Sequence, residues 1–142
     1  MNTVSDVLTR KGSKIVSVTP DTTVFEALRI MSEKNIGSVV VMENDHYLGV
    51  MTERDYSRKV VLNEKDSGST RVSEIMSKEL PSVKPGDSIE HCMHLMTEKN
   101  VRYMPVFEGK QLAGIISMSD VVKQTILSQK ETINQLHTYI NS

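Results

Sequence analysis

An internal repeat constrains the fold of this chain more than any other feature of its sequence. Residues 17–55 align without a gap with residues 82–120, at a constant offset of 65. The phrase MSEKN in the first copy matches MTEKN in the second, and GVMTERD matches GIISMSD. A fixed offset of this length indicates two copies of one supersecondary unit.

Each copy predicts the same succession of elements. A short extended piece, IVSV or PSV, runs through a proline-containing turn into apolar residues at helical spacing, such as Val24, Ala27 and Met31. This helix is expected to end near Asn35 in the first copy and near Asn100 in the second. Two short strands joined by a polar turn follow (SVVVM with YLGVM; YMPVF with LAGII), and then a second helix. A copy of about 55 residues is too small to bury both faces of its sheet, so the copies are expected to pack together.

The chain divides into two repeats, a connection and a tail. The lead-in phrases VSDVL and VSEIM correspond, which places the first repeat at residues 4–62 and the second at 72–126. The polar, turn-rich residues 63–71 predict a flexible surface linker. Residues 127–142 continue the apolar helical spacing and form a C-terminal helical tail. A leftover apolar stripe favours an oligomer contact over a solvated helix, with fraying into disorder as the alternative.

Composition excludes several classes of protein. The net charge of −1 argues against nucleic acid as a main partner, because phosphate backbones are bound by an excess of Lys and Arg. The single cysteine, Cys92, cannot form an internal disulfide. The opening MNTVSDVLTRKG lacks an apolar secretion core, and no apolar run reaches the ~18 residues of a membrane span. We therefore expect a cytoplasmic protein that does not enter a membrane.

The matching phrases GVMTERD and GIISMSD each place a hydroxyl three residues before an aspartate, Thr52 before Asp55 and Ser117 before Asp120. This spacing is typical of a capping box, in which the hydroxyl and the acid bond the backbone N–H groups at a helix start. The same N–H groups can also face a sugar or a phosphate. Capping alone would explain either phrase, so the two interpretations stay open at this point.

Catalytic motifs are not found in the sequence. It contains no Walker loop, no GxGxxG phrase and no convincing Ser/His/Asp grouping, so we predict no enzyme activity. Cys92 lies on the apolar face of its helix and is expected to be a buried thiol. His91 and His94 are three residues apart but have no third ligand, which favours a solvated helix face over a metal site.

These features together resemble the tandem CBS domain, named after cystathionine β-synthase and also called a Bateman module. The likeness covers about residues 4–126 and is carried by the two G-aliphatic-aliphatic-[T/S]-x-x-D phrases and by NVRYMPV. The run TERDYSRKVV is similar to small stand-alone members of that family. The resemblance implies an α/β fold of two tandem strand-helix-strand-strand-helix repeats about a pseudo-two-fold axis, here with an extended C-terminal helix.

The resemblance also implies a regulatory function. Family members bind adenosine compounds such as AMP, ADP, ATP, NADH or S-adenosylmethionine as regulatory ligands, with no obligatory cofactor. They modulate a partner protein and usually form homodimers. The sequence identifies neither the preferred ligand nor the regulated partner.

By the same resemblance, each ligand cleft draws on both repeats. The first cleft is expected to contain Thr52, Asp55, Leu80, Pro81, Arg102 and Tyr103. The second is expected to contain Ile15, Val16, Gly37, Ser38, Arg54, Ser117 and Asp120. The aspartates suit a ribose diol, the arginines suit phosphate, and the residues at the start of each repeat suit the base.

The two clefts are expected to be unequal, because Gly37 and Ser38 replace Arg102 and Tyr103 at the matching positions. The Asp55 cleft should then favour the more strongly charged nucleotide. One alternative is a structural dimerisation subunit with vestigial clefts, which would bind no nucleotide. Another is an enzyme that hydrolyses phosphate with Mg²⁺ on the aspartates.

Overall fold

The computed structural model describes residues 2–12 and 14–141. Their contacts divide the chain into two compact units. The first-repeat unit is Ile15–Leu80, and the second-repeat unit combines Met1–Lys14 with Pro81–Ser142. The mixed α/β class and the long C-terminal helix predicted from the sequence are confirmed.

The helices and strands follow the chain in an order that repeats. They are α1 (Val4–Lys11), β1 (Ser17–Val18), α2 (Val24–Lys34), β2 (Ser38–Glu43), β3 (His46–Thr52), α3 (Glu53–Tyr56, continued by a π-helical turn, Ser57–Val61), α4 (Val72–Ile75), α5 (Ile89–Lys99), β4 (Tyr103–Glu108), β5 (Gln111–Ser117) and α6 (Met118–Asn141). In both units, a helix is followed by an antiparallel hairpin and then by another helix.

The helices α2 and α5 end as the sequence predicts. Asn35 and Asn100 each take the left-handed conformation at the helix C-terminus, with φ of 53°. Asparagine tolerates this conformation better than most residues, which explains the stop. Thr23 and Ser88 cap the other ends by accepting bonds from backbone N–H groups. Each helix buries one apolar stripe in the core of its own unit.

The first strand of the second repeat is reduced to a single bridge. In the first repeat, β1 runs parallel to β2, and Val40 N donates to Val16 O over 3.0 Å. Pro105 occupies the position of Val40 and has no N–H to donate. Only Val83 then pairs with Val106, so the named strands of this unit form a two-stranded sheet, β4-β5, whereas those of the first-repeat unit form the three-stranded sheet β1-β2-β3.

The lead-in helices do not pack with the repeats that follow them in sequence. Helix α1 belongs to the second-repeat unit, where Val4 and Val7 are fully buried in the core. Helix α4 buries Val72 and Ile75 in the core of the first-repeat unit. Each compact unit is thus completed by a helix whose sequence introduces the other repeat.

The connection between the repeats is held more firmly than its sequence predicts. Val24 N donates to Thr70 O over 2.9 Å, and Phe25 N donates to Ser67 O over 3.0 Å. These bonds satisfy N–H groups at the start of α2 that the helix itself cannot pair. Thr70 is also buried, and its hydroxyl donates to Asp66 O over 2.7 Å. The predicted flexible linker is therefore an ordered cap on a helix.

Helix α6 runs from the core of the second-repeat unit into solvent. Val121 and Gln124 are buried, whereas every residue from Gln129 to Asn141 is exposed. The predicted C-terminal tail is therefore the second half of one continuous helix of 24 residues. Within residues 2–12 and 14–141, no helix combines the length and the apolar character that crossing a membrane requires.

The glycines that open the two matching phrases allow close packing of the lead-in segments. A Cβ added at Gly49 would lie 2.7 Å from the backbone oxygen of Ser77. A Cβ added at Gly114 would lie 2.8 Å from Cδ2 of Leu8, the end of a flexible side chain. The two glycines occupy matching positions, but a Cβ at Gly49 would meet the backbone, whereas a Cβ at Gly114 would meet a flexible side chain.

We expect Gly49→Ala to destabilise the protein by about 1 to 3 kcal/mol, because it forces apart the backbone pair formed by Val50 and Ser77. Gly114→Ala is the matched control and should cost less, because Leu8 can change rotamer. Urea unfolding of both variants measures the difference. Equal costs, or a larger cost at Gly114, would contradict this account.

Candidate functional site

A reciprocal capping box forms at the start of α3. Thr52 N and Thr52 Oγ1 donate to Asp55 Oδ2 over 2.9 and 3.0 Å. In return, Asp55 N donates to Thr52 Oγ1 over 3.1 Å. The capping interpretation of the phrase TERD is therefore confirmed.

The other carboxylate oxygen of Asp55 binds two further groups. Ser77 Oγ donates to Asp55 Oδ1 over 2.9 Å, and Lys59 Nζ lies 3.0 Å from the same oxygen. Asp55 is only 4% exposed, so an unpaired charge here would be costly. Lys59 also donates to Ile75 O over 2.9 Å, which holds its ammonium in place. The buried carboxylate is thus neutralised inside its own unit.

Asp120 is held in a related way at the start of α6. Ser117 N donates to Asp120 Oδ2 over 2.8 Å, and Asp120 N donates to Ser117 Oγ over 3.1 Å. Lys11 Nζ donates to the same Oδ2 over 2.7 Å and to Ile115 O over 3.0 Å. Both of these bonds to the carboxylate end on Oδ2.

The contacts of Asp120 set its ionisation. Burial raises the pKa of the Asp120 carboxyl, but the bonds from Lys11 and Ser117 outweigh burial and hold the pKa below its usual value of 3.8. The side chain is 16% exposed and is more accessible than the 6% of Asp55. Asp120 is therefore a charged and reachable carboxylate at neutral pH.

The cation beside each aspartate comes from a different element in the two repeats. Lys59 follows Asp55 by one helical turn, but the matching position after Asp120 is Gln124. Lys11 supplies the charge for Asp120 from α1, whereas the matching residue in the other lead-in segment is Glu79. Gln124 Oε1 instead accepts a bond from Arg10 Nε over 3.3 Å.

The sequence reasoning missed both lysines as site residues. They could have been found by comparing charges at the repeat offset, because a lysine lost at position 124 is balanced by one gained at position 11. Assigning Lys11 to Asp120 also requires knowing that α1 packs in the second-repeat unit. Only the three-dimensional structure supplies this.

An open cavity of about 400 Å³ lies beside the Asp55 cluster within the first-repeat unit. Its lining combines two cations, one carboxylate, a hydroxyl and apolar side chains, namely Lys59, Lys78, Glu79, Ser77, Met76 and Leu80. Ser77 and Lys59 connect this cavity to the carboxylate of Asp55. Leu80, which the sequence analysis predicted to contact the base, is among the lining residues.

The hairpin starts lie beside the capped phrases of their own units. Ser38, which is buried, pairs with Thr52 across β2 and β3, and Glu53 N donates to Gly37 O over 3.2 Å. At the matching place, Tyr103 pairs with Ser117 and Met118 N donates to Arg102 O over 2.8 Å. Arg102 is exposed and Tyr103 is half-buried.

The remaining predicted residues are half-buried: Ile15, Val16 and Arg54 in the first-repeat unit and Pro81 in the second-repeat unit. Val16 packs against the core of its unit. The sequence analysis drew each ligand cleft from both repeats, for example Asp55 with Arg102. That grouping stays a prediction.

The other chemically reactive side chains have ordinary structural roles. Cys92 is fully buried, as expected, and desolvation raises the pKa of its thiol to about 11. His94 pairs with Glu98 over 3.1 Å on an exposed helix face. In the part of the chain that the structure describes, three or more metal-binding side chains are nowhere grouped around a common point.

Comparison with known proteins identifies the family. The CBS domain profile matches residues 4–62 and 72–126, which is most of the chain. The chain therefore belongs to the CBS domain family and is a tandem pair of these domains.

Relatives that match most of this chain support this assignment. The CBS domain-containing protein CBSX3, mitochondrial, of Arabidopsis thaliana is 35% identical over 147 residues, covering 97% of this chain and 71% of the relative. A solved protein with CBS domains from Burkholderia ambifaria is 44% identical with a TM-score of 0.86, covering 90% of this chain and 96% of that one. A hexameric CBS-CP12 protein from bloom-forming cyanobacteria is 32% identical with a TM-score of 0.74, covering 86% and 70%.

The lowered pKa of Asp120 predicts a pH-dependent stability. The contribution of this carboxylate is fully present above the unfolded value of 3.8 and is lost as the pH falls through the lower folded value. Asp120→Asn should therefore reduce the free energy of unfolding at neutral pH, and the reduction should shrink below pH 3.8. Urea unfolding across this pH range measures it.

Ser88→Ala is the control for the Asp120 experiment. Ser88 caps α5 in the same unit by accepting a bond from His91 N, without a carboxylate partner. The loss in the free energy of unfolding that Ser88→Ala causes should stay constant between neutral pH and pH 3. A cost of Asp120→Asn that is equally constant would contradict the assigned ion pair.

Proposed function

We propose that this chain is a regulatory module that binds an adenine nucleotide at Asp55 and at Asp120 and thereby changes the behaviour of a partner protein. The observation that carries the proposal is the cavity beside Asp55, which places lysines and apolar side chains within one site. A nucleotide is complementary to this lining, because its apolar base suits the apolar side chains and its anionic phosphate suits the lysines. AMP, ADP, ATP, NADH and S-adenosylmethionine are the candidate ligands.

The ribose diol is proposed to bind the aspartates in competition with the lysines. A carboxylate accepts two hydrogen bonds from vicinal hydroxyls, and bonds to charged acceptors are about twice as strong as neutral ones. When a hydroxyl takes the place of Lys59 or Lys11, the released ammonium is free to approach the phosphate. Ligand binding would then move charge at the end of α1 or near α4, which supplies a route to regulation.

The two sites are proposed to differ in preference. Lys59 and Lys78 give the Asp55 cavity two cations against the single carboxylate of Glu79. The Asp120 site has Lys11 as its paired cation. A site with more cations binds a ligand with more phosphate groups more strongly, so the Asp55 site should prefer the more highly phosphorylated nucleotide. Arg102 is proposed to strengthen that preference.

A structural role for the module is the second candidate. Asp55 already accepts bonds from Thr52, Ser77 and Lys59, which satisfies a buried carboxylate without any ligand. In that case the aspartates serve only to fix helix starts, and the module acts through self-association. We propose a homodimer in either case, which is supported by the hexameric assembly of the related CBS-CP12 protein.

Titration calorimetry with the five candidate ligands tests nucleotide binding. We expect micromolar binding in two phases, of which Asp55→Asn removes the tighter and Asp120→Asn only the weaker. A ligand that binds the folded state also raises Tm by mass action. Asp21→Ala, an exposed carboxylate outside the cavity, is the control and should leave both phases unchanged.

The outcomes separate the candidates. Heat and a Tm shift that disappear with the aspartate variants support nucleotide sensing. No heat and no Tm shift with any of the five compounds would support the structural role. Release of phosphate from ATP with Mg²⁺ would instead reveal catalysis, which we do not expect.

A further inference from the structure

Helix α6 carries a regular series of apolar side chains that remain exposed to solvent. Apolar side chains recur at spacings of four, seven, three and four residues, and each is about half exposed or more: Val122 (50%), Ile126 (47%), Ile133 (62%), Leu136 (57%) and Ile140 (75%). Alternating steps of three and four residues are the pattern of a coiled-coil seam. In heptad positions, Ile126, Ile133 and Ile140 are a residues, and Val122, Gln129 and Leu136 are d residues.

The seam lies on the side of the helix that faces away from the core. Val121 and Gln124, which are c and f residues of the same heptads, are buried against the second-repeat unit. An open groove of about 450 Å³ runs along the seam side of α6, lined in part by Met118, Val122 and Ile126. The apolar surface is therefore continuous from the folded unit into the exposed half of the helix.

The exposed segment needs a partner to remain helical. Residues 129–141 are all exposed, and isolated helices of about 12 to 15 residues are marginal in water. Most helical stability in proteins comes from packing an apolar face, and this segment has such a face without a visible counterpart among the described residues. Association along the seam supplies it.

We propose that a second copy of this chain covers the seam, so that two α6 helices form a parallel, in-register, two-stranded coiled coil over residues 119–140. Three of the four a positions are isoleucine, the fourth being Ser119, and one of the three d positions is leucine. Isoleucine at a with leucine at d favours two strands in parallel coiled coils. Parallel pairing also places the two Gln129 side chains opposite each other, where their amides bond one another. An apolar partner would leave the Gln129 amide unpaired.

The flanking charges select the parallel orientation. Lys123, Lys130 and His137 occupy the e positions, and Thr125 and Thr132 occupy g positions. In a parallel pair, e residues meet g residues of the other helix, so Lys130 and His137 each face a neutral threonine and Lys123 faces Met118. In an antiparallel pair, e residues meet e residues, and Lys130 would face a basic side chain. Repulsion therefore disfavours the antiparallel arrangement.

Disulfide trapping of the full-length protein tests the orientation. Ile140→Cys places a thiol in the seam, where parallel in-register helices bring the two copies together, and oxidation should yield a covalent dimer. Thr138→Cys places a thiol on the outer side of the same turn and should yield none. Wild-type protein is the background control, because its Cys92 is buried.

Sedimentation equilibrium tests the seam itself. Ile133→Asp buries a charge in the seam and should raise the dimer Kd about tenfold or more. Asn134→Asp adds the same charge one position away and should leave the Kd close to that of wild type. Both side chains are exposed in the single chain, so both variants should keep the wild-type Tm at concentrations where the protein is monomeric.

Three results would overturn the proposal. They are a wild-type protein that is monomeric at all concentrations, an Ile133→Asp variant that dimerises like wild type, and an Ile140→Cys variant that forms no more covalent dimer than Thr138→Cys. The seam lies outside the Asp55 and Asp120 clusters, so nucleotide binding per chain should be unchanged in Ile133→Asp. Failure of the coiled coil and failure of nucleotide binding are thereby separable.

Discussion

The bond between a hydroxyl side chain and an aspartate three residues later is the contact on which the rest of each unit depends. A strand ends and a helix begins at Thr52 and again at Ser117 without an intervening loop. The first N–H groups of a helix have no partner inside it, so an abrupt transition of this kind needs side chains that satisfy them. In both units, the aspartate accepts the backbone N–H of the hydroxyl residue on Oδ2. It is then bonded by the lead-in segment of the unit, through Ser77 on Oδ1 of Asp55 and through Lys11 on Oδ2 of Asp120.

The lead-in segments determine what surrounds each aspartate. Ser77, just beyond α4, reaches Asp55 because Gly49 has no side chain to hold the Ser77 backbone away. Lys11, at the end of α1, reaches Asp120 at the matching place. Each aspartate is therefore fully bonded only when the lead-in segment packs closely on its unit, and Gly49 allows this packing at Asp55. In the proposed function, a ligand that binds an aspartate alters this arrangement and thereby regulates a partner.

Local rules made much of the fold and part of the site predictable from sequence. The repeat offset, the asparagines that end two helices and the capping boxes each depend on residues close together in the chain. What the sequence did not predict depends on distant residues. Pro105 removes a ladder bond from a strand that comes about twenty residues earlier, and Lys11 neutralises a carboxylate more than a hundred residues later. The order of the linker was not predicted, because its polar composition gives no sign of the backbone bonds by which it caps α2.

We propose that a nucleotide competes with lysine for the capping aspartate. Nuclear magnetic resonance can follow this directly, by recording the carboxylate carbon of Asp120 and the Nζ of Lys11 while AMP is added to the full-length protein. The account predicts that both signals move together and saturate at the same AMP concentration, because the ribose hydroxyl replaces the ammonium. Saturable AMP binding that leaves both signals in place would contradict it, since the nucleotide would then be bound elsewhere.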